Sequence, residues 1–94
     1  MNEAAFHACP ICASSTPHTA RYPQSVCHAC YEKACDERDR KLTFSNVSLS
    51  GGFQAIVTDT QAEYLSHICY IDGVQCWADE ARFGGIVIEP YSSR

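Results

Sequence analysis

Apolar and polar residues alternate from Leu42 onward with the period of two that is typical of β-strands. Residues 42–49 and 53–58 both show this alternation, and the residues between them, Ser50 to Gly52, are typical of a turn. The pattern therefore predicts an antiparallel hairpin over residues 42–58.

A second hairpin is predicted over residues 67–78, where an Asp-Gly pair separates two apolar segments. Asp-Gly between such segments is a strong signal for a two-residue turn. The resulting register places Ile71 opposite Val74 and Cys69 opposite Cys76. Farther along the chain, residues 86–88 predict a last short strand, followed by a frayed tail over residues 91–94.

Residues 28–40 lack this alternation and are rich in helix-forming side chains. Tyr31, Ala34, Cys35 and Arg38 recur at helical spacing and would share one face. We therefore predict a helix over residues 28–40 with Cys35 on its core-facing side. The chain as a whole reads as a single α+β domain in which this helix packs against an antiparallel sheet of four to five strands.

The first thirty residues contain few large apolar side chains, so they cannot bury enough area to offset the entropy of ordering them. The same segment holds two C-x2-C pairs in the arrangement C-x2-C-x14-C-x2-C, formed by Cys9, Cys12, Cys27 and Cys30. Each C-x2-C pair can form a tight turn, called a knuckle, that directs its two thiolates to one point. Two knuckles can complete a closed tetrahedral shell of four thiolates, which is typical of structural Zn2+. We predict one structural zinc ion on these cysteines, and its binding energy would help to fold the domain.

These cysteines also have alternative uses. The four thiols could form two disulfides or simply pack, and His7, His18 or His28 could replace one thiolate in the shell. A redox C-x2-C pair would follow a strand in a βαβ unit, and too few residues precede Cys9 for that strand. Four well-spaced cysteines favour the all-sulfur zinc site.

The order of elements over residues 9–40 resembles the treble-clef class of zinc fingers. In that class a knuckle is followed by a loop or hairpin and then by a second knuckle in the first turn of a helix. The segment between the knuckles is short here, so a plain zinc ribbon also fits. The resemblance implies a zinc module over residues 1–41 that precedes the sheet of residues 42–94.

Cysteine usage and the N-terminal residues indicate a compartment. Seven cysteines would leave one thiol unpaired in a fully bridged protein, and residues 1–8 have neither the basic nor the apolar region of a signal peptide. No stretch is long and apolar enough for a membrane span. We predict a reducing, cytoplasmic location, in which zinc–thiolate sites persist.

Eleven acidic and seven basic side chains give a net charge of −4. Nucleic-acid-binding zinc modules use a basic face, and the one basic cluster here, at Arg38, Arg40 and Lys41, is interrupted and preceded by acids. An acidic protein attracts basic partners and is repelled by phosphate. The charge favours a basic protein partner over nucleic acid.

The remaining thiols are expected to be reduced and largely buried. Cys35, Cys69 and Cys76 lie on faces that are otherwise apolar, where free cysteine packs as a small apolar group. A second metal site formed by His67, Cys69 and Cys76 is the competing interpretation, but three side chains on one strand pair seldom complete a tetrahedral shell.

The segment from Trp77 to Gly85 combines Trp, Phe and Arg with two adjacent acids and a double glycine. Trp and Arg are enriched at interface hot spots, so this segment is a candidate partner-binding surface. The competing interpretation is that its aromatic residues belong to the core of the domain. The residues assigned to the candidate surface are Trp77, Asp79, Glu80, Arg82 and Phe83.

The sequence contains no recognisable set of catalytic residues beside these motifs. The chain lacks the H-x-E motif of zinc deaminases, and the fourteen residues between the knuckles cannot supply the catalytic hairpin and helix of an HNH nuclease. We therefore predict a non-catalytic, cytoplasmic, bacterial protein-binding module, such as an inhibitor or immunity-type partner of a basic protein. A nucleic-acid-associated zinc finger or transcription accessory factor is the alternative, and an enzyme completed by a partner is the third.

Overall fold

A computed structural model describes residues 6–18, 21–47, 52–81 and 85–93 of the 94-residue chain. These residues form seven antiparallel strands, one short α-helix and one 3-10 turn. The strands are β1 (Phe6–Ala8), β2 (Ser15–Pro17), β3 (Leu42–Ser45), β4 (Gln54–Val57), β5 (Ile68–Ile71), β6 (Val74–Glu80) and β7 (Ile86–Pro90). The helix α1 spans His28–Tyr31 between β2 and β3, and the 3-10 turn spans Tyr91–Ser93.

The strands belong to three small sheets, ordered β1-β2, β3-β4 and β5-β6-β7. The combination of one helix with antiparallel sheets agrees with the predicted α+β class. The single sheet of four to five strands was wrong. Beyond the helix the described chain has five strands, but they are divided between a two-stranded and a three-stranded sheet.

Both predicted hairpins are present. Leu42 pairs with Val57 in the first, and Ile71 pairs with Val74 and Cys69 with Cys76 in the second. The described turn of the second hairpin has positive φ at both central residues, 50° at Asp72 and 81° at Gly73. This is the two-residue type I′ geometry that Asp-Gly favours, because its twist matches that of the flanking strands. The Ser50–Gly51 part of the first turn lies outside the described residues.

The predicted helix over residues 28–40 was wrong, because α1 ends at Tyr31. Beyond it the backbone of Cys35 exchanges two hydrogen bonds with Tyr70 on β5, with N···O distances of 2.9 and 2.8 Å. Cys35 also bridges Lys41, which immediately precedes β3. The segment around Cys35 therefore connects the two larger sheets instead of continuing the helix, and Cys35 is only half-buried.

The side chain of Asp36 explains why the chain turns there. Its Oδ1 accepts hydrogen bonds from the backbone N–H groups of Arg38 (2.9 Å) and Arg40 (2.8 Å), and its Oδ2 accepts one from Arg40 Nε (2.8 Å). Asp39 has a positive φ of 66°, which a continuous α-helix excludes. Asp side chains commonly compete with helix formation in this way.

The hydrophobic core is one cluster that includes residues from both halves of the chain. Ile71, Ala78 and Ile88 contribute from β5, β6 and β7, and each is at most 1% exposed. The hairpin β3-β4 adds apolar side chains from its inward face. The same cluster contains Cys9, Cys27 and Cys30, so the cysteine site is part of the core.

The C-terminal residues differ from the predicted frayed tail. Residues Tyr91–Ser93 form a 3-10 turn that follows β7, and the ring of Tyr91 lies 6.1 Å from that of Trp77 between centroids. Within the described ranges, no helix has the length and apolar character needed to cross a membrane.

Candidate metal centre

The first cysteine pair lies where the β1-β2 hairpin reverses direction. Strands of three residues on either side align Ala8 with Ser15, and Cys9 and Cys12 both lie in the six-residue connection, residues 9–14, between them. The backbone N–H of Cys9 donates to Ser14 O at 2.7 Å, and Ala13, with a positive φ of 68°, donates to Cys9 O at 2.8 Å. These bonds hold the knuckle in a tight turn that aims two thiols to one side.

The second pair lies at the start of α1. Cys27 is the N-cap residue and its side chain makes no capping hydrogen bond, whereas Cys30 is one turn further along. The N–H of Tyr31 donates to Cys27 O at 2.9 Å and closes that turn. A helical turn places residues i and i+3 on the same face, so both thiols again point one way. The second knuckle thus opens a helix, as the treble-clef resemblance implies, although this helix has only four residues.

The two knuckles bring their thiols together. The Sγ atoms of Cys9, Cys12, Cys27 and Cys30 all lie within 4.8 Å of one another, and those of Cys12 and Cys27 are 3.6 Å apart. A tetrahedral shell with zinc–sulfur bonds of about 2.3 Å requires sulfur–sulfur separations of about 3.8 Å. The four cysteines predicted from the spacing therefore form a cluster that can hold a metal ion.

The surroundings of the cluster suit thiolates. Cys9, Cys27 and Cys30 are at most 7% exposed, and Cys12 lies on the solvent side. Cys9 Sγ accepts hydrogen bonds from the backbone N–H groups of Ile11 (3.4 Å) and Cys27 (3.3 Å). Backbone donors of this kind stabilise negative charge on sulfur, as they do around other anionic sites.

The pKa values within the cluster diverge. Burial raises the pKa of Cys9, but hydrogen bonds from nearby backbone N–H groups outweigh it and the net shift is downward. Hydrogen bonds from the hydroxyl and N–H of Ser14 lower the pKa of Cys12 to about 6. Burial, followed by hydrogen bonding with the other three thiols, raises the pKa of Cys30 well above its ordinary value. Four sulfurs this close cannot all ionise unless a cation neutralises them.

The histidines near the site have other partners. The Nδ1 atoms of His7 and His18 lie 3.0 Å apart, and His7 Nε2 lies 2.8 Å from Ser25 O. His28 is largely exposed and lies 3.4 Å from Glu32. Among the described residues, the group of potential ligands that comes together consists of the four cysteines alone.

The other three cysteines are not part of the metal-binding cluster. Cys69 and Cys76 are fully buried at directly paired positions, and all seven cysteines are free thiols. Burial and then the charge of Cys9 raise the pKa of Cys76 to about 11. Burial, with Cys76 and Cys35 nearby, raises the pKa of Cys69 to about 12. These thiols pack as apolar groups, whereas the predicted burial of Cys35 is only partial.

We expect Cys69 and Cys76 to resist alkylation in the metal-loaded protein, because burial blocks the reagent and their raised pKa values keep them protonated near pH 7.5. Peptide mapping after a timed iodoacetamide pulse measures this, with the chelated, denatured chain as the fully labelled control. Rapid native labelling of either residue, or a mass showing a bridge between them, would contradict the expectation.

Among the described residues, His67 belongs to an aromatic stack and not to a second metal site with Cys69 and Cys76. Its ring is stacked between Phe53 and Trp77, with centroid distances of 4.3 and 4.7 Å. Its Nδ1 donates a hydrogen bond to Ala78 O at 2.6 Å and lies 3.8 Å from Asp79 Oδ1. No periodicity in the sequence indicates this stack, because its three rings come from separate parts of the chain.

The candidate partner segment is only partly described. Trp77 is half-buried in the stack, and its Nε1 donates to Asp79 Oδ2 at 3.5 Å. Glu80 is exposed and accepts a hydrogen bond from Gly52 N at 2.8 Å. Arg82 and Phe83 lie outside the described residues, so the assignment of this surface stays a prediction.

Comparison with protein-family models, with curated proteins and with solved structures gives no match to this chain. The fold and the site together define a small α+β protein whose four clustered cysteines can hold a metal ion.

Proposed function

We propose that this chain is a non-catalytic protein-binding module, stabilised by one structural zinc ion, whose partner is a basic protein. An inhibitor or immunity-type partner is the role that we infer for it. The observation that carries the proposal is a cluster of four thiols in an acidic chain, three of them within its hydrophobic core.

The chemistry of the cluster supports zinc in a structural role. All four donors are thiolates, the ligands of closed structural zinc sites, and three of them are buried among apolar side chains. Catalytic zinc instead keeps one position open for water or substrate. When bound, the ion would neutralise the thiolates and cross-link the two knuckles. A shell closed by four sulfurs leaves no position at which the metal could bind water or substrate.

The charge distribution supports a basic protein partner over nucleic acid. Of the basic cluster, Arg40 is already engaged by the buried carboxylate of Asp36 at 2.8 Å. Arg38 and Lys41 are exposed, but Glu37 and Asp39 in the same loop are also exposed. A phosphate backbone would therefore meet no continuous basic face in this loop.

We expect purified protein to contain about one zinc ion per chain and no iron. Four sulfur donors complete one tetrahedral shell, which is typical of structural zinc. Because iron also binds in sulfur shells of this kind, both metals must be measured. Elemental analysis of protein purified under reducing conditions without a chelator measures both. A Cys35→Ser variant should retain the same zinc content, and a zinc content near zero would contradict the assignment.

The protein-binding role is tested with the zinc-loaded chain as an immobilised bait. We expect a basic protein from the native host to bind at low salt and to be released as ionic strength rises, because exposed charge pairs are screened. Short duplex DNA and single-stranded RNA are the parallel probes and should not bind. Nucleic-acid binding with a steep salt dependence would overturn the proposal in favour of a nucleic-acid-associated zinc finger.

A further inference from the structure

A pocket of about 200 Å³ lies beside the aromatic stack, on the side of β4. Its lining includes the rings of Phe53, Tyr64 and His67, together with Glu63 and the largely exposed Leu65. Pockets for drug-sized ligands measure roughly 300–1,000 Å³, so this one matches a single side chain better than a cofactor.

The rings that line the pocket are held in place. Phe53 stacks on His67 with centroids 4.3 Å apart, and the Tyr64 hydroxyl donates to Ile68 O at 2.6 Å. The N–H of Tyr64 bonds to Ala55 O at 2.8 Å, which fixes its backbone against β4. The pocket therefore has aromatic walls that are already ordered, so a ligand would lose little free energy in organising them.

Two of the residues that line the pocket, Glu63 and His67, carry unused hydrogen-bond acceptors. His67 Nδ1 must carry a proton because it donates to the carbonyl oxygen of Ala78, so Nε2 is an acceptor in the neutral ring. Within the described part of the chain, neither Nε2 nor the exposed Glu63 carboxylate has a hydrogen-bond or ion-pair partner. Aromatic faces beside a carboxylate attract a cation that carries several N–H donors.

We propose that this pocket binds an arginine side chain presented by the basic protein partner. The planar guanidinium can stack on an aromatic ring while its N–H groups reach a carboxylate, which a compact ammonium does less well. The chain's net charge of −4 would steer such a partner towards it. This inference rests on the proposed function and names the chemistry that the partner must present.

The pocket also joins the predicted partner segment. The face of His67 opposite Phe53 stacks on Trp77, with the two ring planes inclined by 6°. The His67 ring would thus separate an arginine in the pocket from Trp77. The binding surface would extend from Glu63 across the stack to Asp79, whose carboxylate lies 3.8 Å from His67 Nδ1.

The test is an NMR titration of the zinc-loaded full chain with Nα-acetyl-arginine methylamide at low salt. Nα-acetyl-citrulline methylamide, the neutral isostere, is the matched probe. We expect saturable shifts centred on the resonances of Phe53, Tyr64 and His67 with arginine, and binding at least about tenfold weaker with citrulline, because the neutral isostere loses the charge-assisted hydrogen bonds. Equal binding of the two probes, or shifts centred elsewhere, would overturn the inference.

Matched variants distinguish binding in the pocket from general attraction to the acidic chain. Glu63→Gln should weaken arginine binding by about twofold to fivefold, whereas Glu37→Gln, the same change at an exposed acid outside the pocket, should not. Equal effects of the two would show general charge attraction and refute the pocket. If a basic partner binds the wild-type and Glu63→Gln chains equally, the pocket is wrong and the proposed function stands. If arginine binds as expected while no protein partner binds, the pocket stands and the proposed function falls.

Discussion

Removal of the proposed zinc ion is expected to unfold the whole domain and not only the predicted zinc module of residues 1–41. Structural zinc contributes roughly 10–16 kcal/mol in small zinc-binding peptides, which is comparable to or larger than the total stability of about 5–15 kcal/mol of most domains. Cys9, Cys27 and Cys30 share one core cluster with Ile71, Ala78 and Ile88. Disorder at the cysteines would therefore expose the apolar face of the three-stranded sheet.

The hydrogen bonds around the site extend this coupling. The N–H of Val26, immediately before the second knuckle, donates to Ile88 O on β7 at 3.0 Å. The N–H of Gln24 donates to the carboxylate of Glu89 at 3.1 Å. Loss of the second knuckle would free both groups on the last strand, so the transition should be cooperative across the domain.

The measurement is a melting curve by circular dichroism and an amide NMR spectrum, each before and after a strong chelator. Cys27→Ser should behave as the chelated protein does, since three thiolates cannot close the shell. Cys35→Ser is the matched control and should keep both its zinc and its melting temperature near those of the wild type. Native dispersion of the amide signals after metal removal would show that the fold does not depend on the ion.

The sequence predicted the parts of this molecule that depend on local chemistry. The Asp72–Gly73 turn set the register of the second hairpin, because a two-residue type I′ turn allows only one register between the strands on either side of it. The spacing of the cysteines predicted their cluster for a similar reason. Each knuckle is a short structure whose geometry depends on a few adjacent residues.

The errors arose where distant contacts override local preference. Residues 32–41 consist mostly of good helix formers, yet Cys35 pairs with Tyr70, thirty-five positions away. A periodic pattern carries no information about such a partner. The aromatic stack is a second case, because Phe53, His67 and Trp77 become neighbours only after the two hairpins have formed.

The β1-β2 hairpin shows a further limit of the sequence. Its strands have three residues each, and their alternation is too short to distinguish from a loop. Its geometry follows from the knuckle that it encloses and from the pairing of His7 with Thr16. The cysteine spacing is thus a better signal for this hairpin than the hydrophobic pattern.

Asp36 is expected to be the most sensitive polar residue outside the metal site. Its carboxylate is 3% exposed and accepts three hydrogen bonds from two arginines, which keep residues 36–40 in a turn. Asp36→Ala would leave two part-buried N–H groups and one guanidinium without their acceptor, and the loss of hydrogen bonds to a charged group is costly. We expect the melting temperature to fall by several degrees.

Milder substitutions distinguish the hydrogen bonds that Asp36 makes to the turn from the effect of its charge. Asp36→Asn retains one oxygen that can accept from the N–H groups of Arg38 and Arg40, so it should destabilise less than Asp36→Ala. Asp39→Asn removes the same charge from an exposed position in the same turn and should have little effect, because Asn tolerates the positive φ found there. Equal effects of the two Asn variants would contradict the role of the Asp36 carboxylate.

The pH dependence provides an independent check. Burial raises the pKa of Asp36, but hydrogen bonds from Arg40 and Arg38 outweigh it, so the pKa in the folded protein lies below its ordinary value. A group with a lowered pKa contributes its full stabilisation above the unfolded-state pKa of about 4 and loses it as the pH falls through the folded-state pKa. The difference in unfolding free energy between wild type and Asp36→Ala should therefore be constant from about pH 5 to pH 8. Denaturant titrations of both proteins measure it, and a difference that changes steadily across this range would mean that burial dominates and that the pKa is raised.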